Sequence, residues 1–277
     1  MTMNVDEKEM LESLSRSGYL LESEIAEMLA DSNYFVRSGH VVEDPITGKG
    51  RDIDIIANFN GGRARRRKGT IRSSSRIEYV FEIKNNLFPV VLLTDFRDNP
   101  YIESWTGLKE AVNRPDGIKY DDFHEHYFEK IIENSSNIFT QYCSFHKKKA
   151  NDELMASHPD RFHESLSKII QYCDEQVESC DTYLWNETPK GRSDRFFRHL
   201  LYVPILLVSD NLYQLKNNSL EKVESSILVV NYYHSGEPKM AYVFVMTKAG
   251  LPKFMDSMRN LEKNVEEIMA KVVDEDA

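Results

Sequence analysis

Two short segments of this chain carry charge where a buried strand would carry none. Asp54 lies within Arg51-Asp52-Ile53-Asp54-Ile55-Ile56-Ala57, and Glu82 and Lys84 lie within Tyr79-Val80-Phe81-Glu82-Ile83-Lys84. Side chains alternate between the faces of a strand, so Asp54 is expected opposite Ile53 and Ile55, with Glu82 and Lys84 sharing one face. If the two segments pair, two carboxylates and an ammonium meet on one side of a sheet whose other side is apolar. Unpaired buried charge is costly, so such a meeting needs compensation. Carboxylates are the hard oxygen ligands that Mg2+ takes, and Mn2+ can replace it; a bound ion can activate a water and stabilise a leaving oxygen. Asp54 and Glu82 would hold the metal, with the backbone carbonyl of Ile83 as a further oxygen. Lys84 would serve the attacking water and neutralise charge as it builds. The chemistry that fits is phosphodiester hydrolysis. The bland alternative is a cross-strand ion pair on a solvated face, but Ile55-Ile56-Ala57 and Val80-Phe81 imply apolar contacts on both faces.

The elements that would position these groups are legible by period and punctuation. A short helix is expected over residues 5–15, closed by Ser17-Gly18, and a second over 20–31 with Leu21, Ile25, Met28 and Leu29 as its core stripe. Glu22 and Glu24 flank that stripe. Extended pieces at 34–36 and 40–42 lead through a Pro- and Gly-rich turn at 44–50 into the strand of Asp54. Residues 58–76 read as a loop too long for a tight hairpin turn, with Arg63, Arg65, Arg66, Arg67, Lys68, Arg72 and Arg76 and no acid. In an acidic chain that concentration predicts a flexible basic finger, gripping nucleic-acid phosphates beside the site. Beyond a strand at 87–94, residues 95–120 read as irregular, 121–146 and 159–177 as helices, and 178–195 as a polar linker. Strands follow at 200–208, 226–233 and 240–247, the last two a hairpin about Ser235-Gly236, and then an amphipathic helix over 251–273. The expected class is α/β: a central mixed sheet flanked by helices.

Asp54 followed by Glu82-Ile83-Lys84 resembles the PD-(D/E)XK restriction endonuclease-like nucleases. The order of acidic helix, Arg-Asp-Ile-Asp strand and Glu-x-Lys strand is most similar to their Holliday-junction-resolvase and type IV restriction branches. Those branches place a glutamate on the first core helix with apolar residues three and seven positions later. Glu22, with Ile25 and Leu29, matches that pattern better than Glu24 does. The resemblance covers residues 20–94 and implies a Mg2+-dependent deoxyribonuclease with a site of Glu22, Asp54, Glu82 and Lys84. It also implies a restriction endonuclease-like core over about 5–94 and 196–277 of one domain, interrupted by a mainly helical insertion at about 95–195. Some members add a helical glutamine, for which Gln141 is the weak candidate here. The long basic insertion and the helical stretch depart from the pattern.

Composition sets outer limits. The chain has 277 residues, 41% hydrophobic and 29% charged, as in ordinary globular proteins. A net charge of −10 argues against indiscriminate coating of nucleic acid, so DNA contact would rest on local patches. The polar N-terminus does not read as a secretory signal, and no apolar run is long enough to cross a membrane. Cys143, Cys173 and Cys180 have no metal-knuckle or redox spacing and fit free thiols in a cytoplasmic setting. DNA is the expected partner; RNA and a homodimer stay open.

Overall fold

Gly18 separates the first two helices. It takes a left-handed φ of 93°, which a glycine adopts without strain, and its N–H closes α1 (Glu7–Ser17) on the Ser15 carbonyl. The chain turns there into α2 (Tyr19–Asp31), which buries Leu21, Ile25 and Leu29. The computed structural model describes residues 6–43, 48–59, 66–68, 71–95, 107–113, 138–158, 160–186 and 196–275.

The strands that follow are β1 (Tyr34–Glu43), β2 (Gly50–Phe59), β3 (Arg66–Lys68), β4 (Ile71–Lys84), β5 (Val90–Asp95), β6 (Lys109–Asn113), β7 (Ile138–Lys147) and β8 (Leu154–Ser157). After α3 (Asp160–Asn186) come β9 (Phe196–Val208), β10 (Leu212–Lys216), β11 (Ser219–Lys222), β12 (Ser225–His234), β13 (Glu237–Thr247) and α4 (Leu251–Glu275). Among the described residues these form one mixed 13-stranded sheet, ordered β1-β2-β4-β9-β13-β12-β7-β5-β10-β11, with β3, β6 and β8 pairing at the side. The four helices flank it, so the expected α/β class holds. The axis of the sheet is the parallel pair β4–β9, in register from Arg72↔Phe196 to Lys84↔Val208.

Apolar side chains leave both faces of that axis. On one face Ile55, Tyr79, Phe81 and Ile83 pack with Leu21, Ile25 and Leu29 of α2 and Met258, Leu261 and Val265 of α4. On the other, Ile53, Ile56, Val80 and Leu206 pack with Leu166, Ile169, Ile170 and Cys173 of α3. The site therefore lies between two apolar layers, as the apolar runs Ile55-Ile56-Ala57 and Val80-Phe81 imply. Ile53 and Ile55 fall in opposite layers, against strict alternation. The break coincides with Gly39, which has a φ of +62° and lies in β1 between the rungs Ser38↔Ile55 and His40↔Ile53. Asp54 occupies the same gap on β2.

Several sequence expectations hold: both N-terminal helices, the C-terminal helix and the β12–β13 hairpin, whose Ser235 and Gly236 have φ of 53° and 84°, as a type I′ turn requires. Others are corrected. The helix expected to run to residue 146 is strand β7 over Ile138–Lys147, because Ile138, Phe139, Thr140, Tyr142 and Phe145 suit a pleated surface and β5 and β12 pair with it; residues 121–137 lie outside the described ones. Lys109–Asn113, expected to be irregular, is strand β6 against β9. The supposed linker begins inside α3, which continues to Asn186. Between 95 and 195 the described residues thus give three strands of the main sheet as well as α3.

Charge helps dock α3. Lys109 on β6 and Asp174 on α3 pair at 3.0 Å with side chains 5% and 7% exposed. Tyr232 of β12 donates its hydroxyl to Asp174 at 2.6 Å, and Lys109 also reaches the Met240 carbonyl. Removing one member of a buried pair strands the other charge, so Lys109→Met should lower the unfolding free energy by about 3–5 kcal/mol in urea titrations. The double variant Lys109→Met/Asp174→Leu should recover most of that loss.

Candidate active site

β2 and β4 pair antiparallel from Asn58↔Glu78 to Ile55↔Phe81, and there the ladder stops. Continuing the register would set Asp54 opposite Glu82. Instead the Asp54 side chain takes up the freed backbone donor: the Ile83 N–H donates to Asp54 Oδ2 at 2.6 Å. In a strand, a residue's N–H and C=O leave on the same edge, so the Ile83 carbonyl faces β2 as well. The splay leaves a notch between the strands with an acid on each lip.

Glu82 on the β4 lip is 3% exposed. Its Oε1 accepts from Lys84 Nζ at 2.6 Å and from Ser165 Oγ at 2.8 Å, and its Oε2 pairs with Lys168 Nζ. Lys168 also donates to the backbone carbonyl of Asp52 on β2. Two cations and a hydroxyl thus compensate one buried carboxylate. Lys84, with 30% of its side chain exposed, opens toward solvent, whereas Lys168, at 11%, is enclosed under α3.

Glu22 reaches the notch from the first turn of α2. The junction before it is pinned to the end of β4, where the Asn85 side-chain amide donates to the Ser15 carbonyl. Burial holds the Glu22 carboxyl above the usual range, and the nearby Asp54 and Glu82 push it further, against Lys84 and Lys168. Burial also raises Asp54, with Glu82 next, against the Ile83 N–H and the two lysines. The acids are therefore close enough to feel one another. Glu24 is turned away and pairs with Lys248.

Sequence reasoning brought Glu22, Asp54, Glu82 and Lys84 to one place, and the structure brings them together. Ser165 and Lys168 escaped it. They are three apart on α3 beside the apolar stripe of Leu166, Ile169 and Ile170, so helical phase puts them on one flank of that stripe without naming their partners. The basic segment is corrected on two counts. Arg66, Arg67 and Lys68 are on strand β3, paired with the start of β4 at Arg72, so this part is not a loop; Arg63 and Arg65 lie outside the described residues. Nor is this part beside the site: at the usual strand rise, Arg72 stands about 40 Å from Lys84 along β4. Gln141 is on strand β7, separated from β4 by β9, β13 and β12, and accepts from Thr94 Oγ1 at 3.0 Å.

Among the described residues no three His, Cys, Asp or Glu side chains close into a metal-ligating group. In kind the donors fit a hard divalent cation: three neighbouring carboxylates, of which Glu22 and Asp54 are raised by burial and then by nearby acids, with a backbone oxygen on the same edge. In position, Glu82 is already held by ammonium groups. The arrangement thus sets oxygen donors of three acids beside an ammonium that opens toward solvent.

A carboxyl raised in the folded state contributes stability only at low pH and loses it as pH climbs through its folded value. Glu22→Gln and Asp54→Asn should each raise the melting temperature at pH 7, by a few degrees, with the gain vanishing below about pH 4. Thermal unfolding across that range, with Glu24→Gln as comparison, measures it.

No protein-family model, curated protein or solved structure matches this chain.

Proposed function

We propose that this chain is a metal-dependent nuclease of restriction endonuclease-like fold that hydrolyses phosphodiester bonds in DNA. The observation that carries the reading is the broken ladder, where Asp54 faces the Glu82-Ile83-Lys84 segment in a notch that Glu22 also enters. A strand pair built for stability alone would close that ladder with apolar side chains. The chain order α2, β1, β2, β4, with the acid on β2 and Glu-x-Lys on β4, supports the restriction endonuclease-like core.

Glu22, Asp54 and Glu82, with the Ile83 carbonyl, would hold Mg2+ or Mn2+, which supplies Lewis-acid activation of water and stabilisation of the leaving oxygen. Lys84 stands at the open side of Glu82, where its ammonium can orient the attacking water and offset charge on the phosphate. The apolar layers around Ile53 and Ile55 keep the walls of the notch dry, which strengthens each of these interactions. Plasmid and branched DNA should be cut in Mg2+ or Mn2+, and Asp54→Ala or Lys84→Ala should slow cutting by about a hundredfold or more. Equal cutting by all three proteins would remove the catalytic assignment.

One observation favours a second reading, a catalytically inactive module that keeps the fold to bind nucleic acid or a protein. Glu82 is ion-paired with Lys84 and Lys168 and accepts a hydrogen bond from Ser165. This reading predicts DNA binding that falls steeply with salt, and no cleavage at any Mn2+ concentration.

A further inference from the structure

Lys168 has no place in the residue pattern that marks the site, yet it is the most enclosed cation in it. Its side chain is 11% exposed, and lysine is rarely buried unless paired. One ammonium suffices to neutralise Glu82, and Lys84 supplies it from the same strand. The second ammonium arrives from another layer, across α3, and bridges Glu82 on β4 to the Asp52 carbonyl on β2. It thus stands in the notch where the ladder fails, between the two lips that carry Asp54 and Glu82.

The charges explain why a cation belongs there. Glu22, Asp54 and Glu82 lie within electrostatic reach of one another and of Lys84 and Lys168, so with all three acids ionised the group is one positive charge short of neutral. A divalent ion on Glu82 would meet the Lys168 ammonium directly, and both cannot hold Oε2 at once. The lysine has somewhere to go. Lys168 also lines a cleft of about 320 Å³ between α3 and the ends of β1 and β2, whose wall carries Glu43, Glu164 and Glu175 along with Arg51 and His163, three acids against one fixed cation. Glu164, one helical turn before Lys168 on α3, can receive the ammonium after a rotation of the lysine's flexible stem.

We infer that Lys168 is an internal counter-cation that holds Glu82 until a divalent ion displaces it into the adjoining acidic cleft, and so limits how tightly the site takes metal. The inference rests on the metal-site reading above. Lys168 is on this view a positioning residue that competes with the ion, distinct from Lys84, which faces the reacting groups.

The test is calorimetric titration of Mn2+ into the full chain without nucleic acid, for the wild type, Lys168→Met, Lys168→Arg and Asp54→Ala. Removing the competing charge should tighten Mn2+ binding in Lys168→Met by about tenfold or more. Lys168→Arg, which keeps the charge, should stay within about threefold of the wild type, and Asp54→Ala should lose the binding. Thermal unfolding checks that each variant folds; if Lys168→Met does not, Lys168→Gln, which can still donate to the Asp52 carbonyl, carries the same expectation. If Asp54→Ala loses Mn2+ while the neutral variant binds no more tightly than the wild type, Lys168 is a strut and the inference falls with the metal site intact. If the wild type and the neutral variant both bind no Mn2+, the metal site falls and takes the inference with it.

Discussion

A glutamate carboxylate shut between two apolar layers has to be neutralised from within the fold, and much of this structure serves that need. Glu82 draws Lys84 along its own strand and Ser165 and Lys168 from α3, so one helix is tied to the centre of the sheet by charge as well as by its apolar stripe. The same demand bears on β2. Its ladder with β4 ends at Ile55↔Phe81, and beyond that point the strands are joined by an aspartate accepting an amide and a lysine spanning the gap. A sheet can tolerate such a defect because β4 is locked along its other edge to β9 through the rung Lys84↔Val208. Rigidity on one side permits an opening on the other.

What could be read from the sequence was whatever chemistry is local. Asp54, Glu82 and Lys84 announce themselves because acidic and basic residues interrupt apolar strands at period two, and Glu22 because it borders a clear helical stripe. Lys168 could not be seen this way. A lysine beside a buried stripe reads as a solvated flank, since its long stem can carry the charge out to water. Its actual partners are on β2 and β4, far away in sequence. Strand β6 was hidden for the same reason, its Lys109 being neutralised by Asp174 of α3. At β7 the local apolar spacing suits a helix, and pairing with β5 and β12 makes Ile138–Lys147 a strand instead.

Turn chemistry is legible at β10 and β11 as well. Asn217 and Asn218, with φ of 50° and 60°, close β10 onto β11 between Lys216 and Ser219. Asparagine is among the few residues that enter this region readily, and the pair signals a two-residue hairpin. The two short strands it joins form the edge of the sheet beyond β5. That edge carries Lys216, Glu221 and Lys222 on exposed positions, as an edge that must not recruit further strands should.

The pairing of β4 with β9 has a consequence in time. During synthesis β4 emerges with its whole β9-facing edge bare, and its partner follows only after α3 has left the ribosome. Pairings between distant segments close slowly, and an apolar edge left open invites the wrong neighbour. Glu82 meanwhile waits for Ser165 and Lys168. Assembly of the notch is thereby deferred until most of the polypeptide exists, and a truncated chain would hold its acids without the architecture that brings them together.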